Sequence, residues 1–230
     1  MIGKKHGNIY LFLDMLDFTD AMYEECVSVL PPQRRERAER YHFMKDKKMC
    51  LIAYLLLVRG IEDTFALNMR GRDFSLHPYG KPYFESDPDV CFSLSHCVDG
   101  CVCAVVDGQV GVDIQDIAEN RLRPGDRSTL YTRVLSEKEQ QCLHTSSLAP
   151  EEAFTRFWAL KESYVKCTGE GFQTDFQSLD FSEVPDVNGE FRGMYVSVRQ
   201  ERGSFVAVCC MRRLEWKIHY VTLAQLHTGL

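Results

Sequence analysis

Between Val90 and Ile117 the chain carries three short apolar runs, Val90 to Ser95, Cys101 to Val106 and Val110 to Ile117, punctuated by Asp99-Gly100 and Asp107-Gly108. Runs of this length and make-up favour strands, and Asp-Gly pairs supply the positive-φ residues that tight hairpin turns require. The expectation is an antiparallel meander, whose flanking segments must cover its faces. Upstream, the run from Ile9 to Met15 reads as another strand. Pro31 and Pro32 then open a helical pattern reaching about Arg59, with Gly60 as its stop. Its first half is basic, carrying Arg34, Arg35, Arg37, Arg40, Lys45, Lys47 and Lys48, and its second half, Met49 to Val58, is almost wholly apolar. Such a helix anchors a core and turns its charged end toward a ligand or water. The segment His77-Pro78-Tyr79-Gly80-Lys81-Pro82 reads as a turn leading into the meander.

Downstream, Ser136-Glu137-Lys138-Glu139 carries the S-x-x-E pattern of a capped helix start, and a second long helix is expected from Pro150 to Thr168, closed by Gly169. Phe181 to Leu223 reads as strands around turns such as Asn188-Gly189. Strand, long helix and strands thus occur twice, dividing near Asp107 to Gln109, with no residue-level repeat. The fold class this order implies is α/β (α+β), with half-domains at 1–108 and 109–230, each a small, mostly antiparallel sheet packed on a long helix.

A chain of 230 residues with 45% hydrophobic content can bury one large core or two modest ones. Acidic residues exceed basic ones, 33 to 27, for a net charge of -6, which argues against general affinity for nucleic acid. A polyanionic ligand must therefore meet the local basic segment around Arg37, although such a run taken alone describes a solvated helix face. The N-terminus carries Lys4, Lys5 and His6 without an apolar stretch and cleavage signal, and nowhere do eighteen apolar residues run together. No membrane association and a cytoplasmic location are expected, with the ten cysteines reduced and packed as small hydrophobes. His96, Cys97, Cys101 and Cys103 match no common zinc spacing.

In Val110-Gly111-Val112-Asp113-Ile114-Gln115-Asp116-Ile117, strand alternation sends Asp113 and Gln115 to one face and Val112 and Ile114 to the other. In Phe157-Trp158-Ala159-Leu160-Lys161-Glu162-Ser163-Tyr164-Val165-Lys166, a helical step of about 100° gathers Phe154, Phe157, Trp158, Tyr164 and Val165 into an apolar stripe. Glu162 and Lys166 lie one turn apart along its edge. Lys161 falls within the stripe, where its stem would snorkel past the aromatic rings. Read separately, the strand Asp is an edge or turn residue, and Glu162 with Lys166 is an ordinary i,i+4 pair worth a few tenths of a kcal/mol.

Together with Phe92-Ser93-Leu94-Ser95-His96 and Gly80-Lys81-Pro82, these two elements resemble the Sfp-type 4'-phosphopantetheinyl transferase family. The family's signatures are a Gly-[Val/Ile]-Asp-[Ile/Val]-Glu strand and a Trp-x-x-Lys-Glu-[Ser/Ala]-x-x-Lys helix, met here by Gly111 to Gln115 and Trp158 to Lys166 in the same order. The resemblance implies a pseudo-dimer of two α/β halves with coenzyme A between them, and transfer of the 4'-phosphopantetheine arm of coenzyme A to a serine of an apo acyl or peptidyl carrier protein, releasing adenosine 3',5'-bisphosphate. It assigns Asp113 and Glu162 to a magnesium ion against the pyrophosphate, Glu162 also to the base for the carrier serine, and Lys166 to the pyrophosphate. It further assigns Ser95 and His96 to the coenzyme A phosphates, Lys81 to the adenine-side loop, and Arg34 and Arg37 to the 3'-phosphate. A monomer is expected. Gln115 stands where the family commonly places a third metal carboxylate; its amide oxygen can ligate magnesium or orient a ligated water but adds no charge. Asp116 points to the opposite face and is no replacement. Met49 stands where a basic residue is frequent in the family. The competing reading is a non-catalytic coenzyme A-binding protein with a weakened metal site, for which Gln115 is the main support.

Overall fold

The computed structural model describes residues 6–69, 71–120, 124–185 and 188–228; Lys4 and Lys5 lie outside them. The chain opens with β1 (His6–Phe12), α1 (Asp20–Cys26), α2 (Pro32–Glu39) and α3 (Met44–Phe65). A two-residue-per-strand hairpin, β2 (Ser75–Leu76) and β3 (Pro82–Tyr83), precedes β4 (Cys91–His96) and β5 (Cys101–Val106). Then come β6 (Val110–Asp116), α4 (Pro124–Val134), α5 (Glu137–Thr145), α6 (Pro150–Thr168), β7 (Asn188–Phe191), β8 (Met194–Glu201) and β9 (Ser204–Cys210). The described chain closes with β10 (Glu215–Tyr220) and α7 (Leu223–Thr228).

Two units form, the first from the described residues of 1–108 and 214–230, the second from those of 109–213. In the first, a four-stranded sheet in the order β10-β1-β5-β4 packs on α3. In the second, the order is β6-β9-β8-β7 and the long helix is α6. The two share one topology: a strand, a long helix, then a hairpin whose second strand pairs antiparallel with the opening strand, β5 on β1 and β9 on β6. The expected fold class, two small and mostly antiparallel sheets each on a long helix, is what the chain adopts.

Several expectations need correction. The division at 108/109 is present, but the last segment returns to the first unit, because β10 pairs in parallel with β1 from His6↔Glu215 to Leu11↔Tyr220. The three central runs are strands, yet not one meander. β5 already has β1 and β4 on its two edges, so β6 has no edge to take there and opens the second sheet beside β9. Asp107-Gly108 is therefore a linker. The long basic helix is two helices, since Tyr41 to Phe43, weak helix formers, are exposed and non-helical between α2 and α3. Gly60 does not stop α3 but lies within it, where a Cβ would come 2.8 Å from Val105 Cγ2 and 3.1 Å from Tyr10, so its bareness lets the helix sit on β1 and β5. Asn188-Gly189 belongs to β7; the hairpin turn is Arg192-Gly193, both in the left-handed region at φ 48° and 78°.

The local turn and cap readings stand as expected. The His77 to Lys81 turn closes with His77 N–H donating to Lys81 O at 2.9 Å. Ser136 and Glu139 form the capping box of α5, and Gly169, at φ 78°, ends α6. Among the described residues, which include all ten cysteines, no disulfide forms, and seven of the ten are buried. Burial pushes the Cys101 and Cys103 thiols well above their usual range, as suits small hydrophobes in a central strand. No described helix is long and apolar enough to cross a membrane.

Candidate active site

The site in the second unit begins with a missing side chain. A Cβ on Gly111 would lie 2.0 Å from Ser163 O and 2.3 Å from Cys167 N, so only glycine lets the backbones of β6 and α6 approach this closely. Residues on the Gly111 face of β6 therefore lie against the last turns of α6. The next one along is Asp113, buried to 1% exposure. Its Oδ1 meets Lys166 Nζ at 2.6 Å, and its Oδ2 accepts a hydrogen bond from Gln115 Nε2 at 3.0 Å. Asp113 and Gln115 share a face, as alternation requires, but that face is covered by the helix rather than open to water.

Glu162, one turn before Lys166, is half-buried. Burial is the main cause that pushes its carboxyl above the usual range, the Asp113 charge pushes it further, and Lys166 opposes both. Asp113, Gln115, Glu162 and Lys166 are thus brought together: two carboxylates, an amide and an ammonium. The rest of α6 anchors this edge. Phe154, Phe157, Leu160, Tyr164 and Val165 are buried, and Trp158 packs between Phe154 and Phe176 with ring centroids 5.8 and 5.9 Å away.

Lys161 does not snorkel. It is completely buried, its Nζ 2.7 Å from Glu139 Oε2 and donating also to the carbonyls of Phe176 and Leu179. Glu139 in turn accepts from the backbone N–H groups of Ser136 and Phe181 at 2.8 and 2.9 Å. This pair joins α5, α6 and the segment 176–181, and sequence reasoning missed it, having read Glu139 as a cap alone. The available signal was a lysine inside an apolar stripe, which must find a counter-charge if its head is buried. Asp116 accepts from Ala118 and Glu119 N–H at 2.6 and 3.1 Å, closing the turn after β6, and takes no part in the cluster.

The remaining predicted residues lie in the first unit. Arg37 is exposed in the last turn of α2. Arg34 is not on that exposed face: it is buried, its Nε 2.9 Å from Asp73 Oδ1 and its guanidinium 3.9 Å over the Phe74 ring, and it fastens α2 to that segment. Lys81 is half-buried in the β2–β3 turn; at the end of β4, Ser95 is buried and His96 exposed. Met49 is core.

Among the described residues no group of three or more His, Cys, Asp or Glu side chains is placed to hold a metal ion. Asp113 and Glu162 make a smaller, two-carboxylate set, toward which Gln115 turns its amide nitrogen. That set suits magnesium, which keeps several waters and takes one or two carboxylates beside substrate phosphates. An ammonium already sits against Asp113, so the position attracts a cation.

Residues 109–211 match a family profile described as the 4'-phosphopantetheinyl transferase superfamily, and residues 17–107 one described as 4'-phosphopantetheinyl transferase, N-terminal. The chain is 33% identical over 148 residues to the 4'-phosphopantetheinyl transferase psf-1 of Bacillus pumilus, covering 64% of this chain and 61% of that one. It is 27% identical over 160 residues to the 4'-phosphopantetheinyl transferase Sfp of Bacillus subtilis (strain 168), covering 68% and 67%. It is 30% identical over 183 residues to the L-aminoadipate-semialdehyde dehydrogenase-phosphopantetheinyl transferase of Xenopus laevis, covering 74% and 59%. The matched stretches span 59 to 67% of these relatives' lengths.

Proposed function

Because the chain belongs to the 4'-phosphopantetheinyl transferase superfamily, we propose that it transfers the 4'-phosphopantetheine arm of coenzyme A to a serine hydroxyl of an apo carrier protein. The observation that carries this reading is the meeting of Asp113, Gln115, Glu162 and Lys166 at the β6–α6 contact that Gly111 permits.

The chemistry divides among these groups. The carrier serine oxygen attacks the phosphorus that bears pantetheine, its proton passes to Glu162, and the bond to the bridging oxygen breaks to release adenosine 3',5'-bisphosphate. Glu162 suits the role of base because burial and Asp113 raise its proton affinity while it stays near an ammonium. Negative charge grows on the departing oxygen, and the Lys166 ammonium can stabilise it. In the ligand-free protein Asp113 keeps the Lys166 ammonium at this edge. Asp113 and Glu162, with the Gln115 amide, would hold magnesium, which supplies Lewis-acid stabilisation of the phosphate oxygens. Most of the rate enhancement then comes from positioning and charge, as in other phosphoryl-type transfers.

Release of adenosine 3',5'-bisphosphate, followed by chromatography with coenzyme A, magnesium and an apo acyl or peptidyl carrier protein, tests the proposal. Release that requires the carrier supports it. Folded protein that binds coenzyme A yet releases nothing would favour a binding-only role.

A further inference from the structure

Lys166 does more in the ligand-free arrangement than await a substrate. Its Nζ lies 2.6 Å from Asp113 Oδ1, with the Asp113 side chain 2% exposed and the Lys166 side chain 30% exposed. The other Asp113 oxygen is held by Gln115 Nε2 at 3.0 Å. A buried carboxylate needs such partners, and here both oxygens are satisfied by this chain's own groups. One ammonium therefore stands against Asp113, a carboxylate that the functional reading assigns to magnesium.

We propose that Lys166 is a built-in placeholder for the divalent cation, occupying the Asp113 carboxylate until a diphosphate draws it away, so that metal and coenzyme A bind cooperatively. The inference rests on the functional reading above. A divalent ion arriving alone must displace a charge-assisted hydrogen bond and meets an ammonium at close range, so its affinity is low. A diphosphate supplies new anionic oxygens for Lys166. The half-exposed four-carbon stem can swing to them without unpacking the core, whereas fully buried Lys161 cannot. Asp113 is then free for the metal. The coupling is reciprocal: metal raises coenzyme A affinity by the factor that coenzyme A raises metal affinity. Gln115 sharpens the effect. With a neutral amide at this position, Asp113 and Glu162 supply two negative charges at most and Lys166 cancels one, so the empty site is a poor trap for a free divalent ion.

The test is Mn2+ affinity, read from the relaxation of solvent water protons, for the unaltered protein, Lys166→Met, Lys166→Arg and Asp113→Asn, each with and without coenzyme A. The unaltered protein should bind Mn2+ weakly alone and at least about 10-fold more tightly with coenzyme A, a coupling of about 1.4 kcal/mol. Lys166→Met should bind Mn2+ alone at least about 10-fold more tightly than the unaltered protein and lose most of the coenzyme A effect, while Lys166→Arg keeps both behaviours. Lys166→Met binding Mn2+ alone no better than the unaltered protein overturns the placeholder, and leaves the metal reading intact if Asp113→Asn weakens binding. Mn2+ affinity untouched by Asp113→Asn in every condition overturns both.

Discussion

Glu162 is where a structural and a catalytic role predict opposite things. As half of an exposed i,i+4 pair it would add a few tenths of a kcal/mol and nothing to turnover. As a half-buried carboxylate beside Asp113 it costs stability once ionised, because the folded protein holds its proton more tightly than the unfolded chain does. The group's favourable contribution is complete below the unfolded carboxyl value, about 4.3, and is lost as pH rises through the raised folded value. Glu162→Gln should therefore be no more stable than the unaltered protein near pH 4 and become relatively more stable toward neutral pH, while transfer falls about 10²- to 10⁴-fold. Urea unfolding at the two pH values, with activity measured alongside, checks both halves; a stability difference that does not change with pH contradicts the burial argument. Strand alternation made Asp113 and Gln115 legible as neighbours, and helical spacing did the same for Glu162 and Lys166. Neither told which partner each would choose. The partner of Arg34 was illegible for the same reason: Asp73 lies on a separate segment that no local spacing marks.

At the scale of elements, the close seat of α6 on β6 is what makes four separated residues one site. Gly111→Ala puts a methyl against backbone on the helix, where no flexible side chain can yield, so the helix must shift. The expected cost is about 1–3 kcal/mol or more in stability, with Asp113 and Lys166 parted and transfer lost. Thermal unfolding and an activity assay measure this, and a stable, active variant would remove the seat from the account. Lys161→Met should cost about 3–5 kcal/mol, since it strands the Glu139 carboxylate in the core. Denaturant titration checks this, and a loss below 1 kcal/mol would mean that water or a proton already satisfies Glu139. Helix caps and turns were legible because they are local: Ser136 with Glu139, Gly169, and the 77–81 turn. The break at Tyr41 to Phe43 and the interior position of Gly60 were not. Both depend on which surface the helices meet, and Gly60 reads as a stop until Tyr10 and Val105 are placed beside it.

For the whole molecule, the same strand, helix and hairpin order recurs in two units, and element order alone suggested it. The return of β10 to β1 had no local signal, because a parallel pairing between the two ends of the chain leaves the pattern of each strand unchanged. Net charge of -6 means that a polyanion must be recruited locally. Charge reversal at exposed Arg37 should weaken coenzyme A binding more than reversal at Arg212, and the gap should narrow in high salt. Calorimetric titration at two ionic strengths measures it; equal losses would take Arg37 out of the binding surface. Group transfer itself can be read directly, from the intact mass of apo acyl and peptidyl carrier proteins incubated with coenzyme A, magnesium and either the unaltered protein or Glu162→Gln. One added phosphopantetheine arm is expected with the unaltered protein and almost none with the variant in the same time. Carriers left unmodified by the folded, unaltered protein, or modified equally by both, would contradict this.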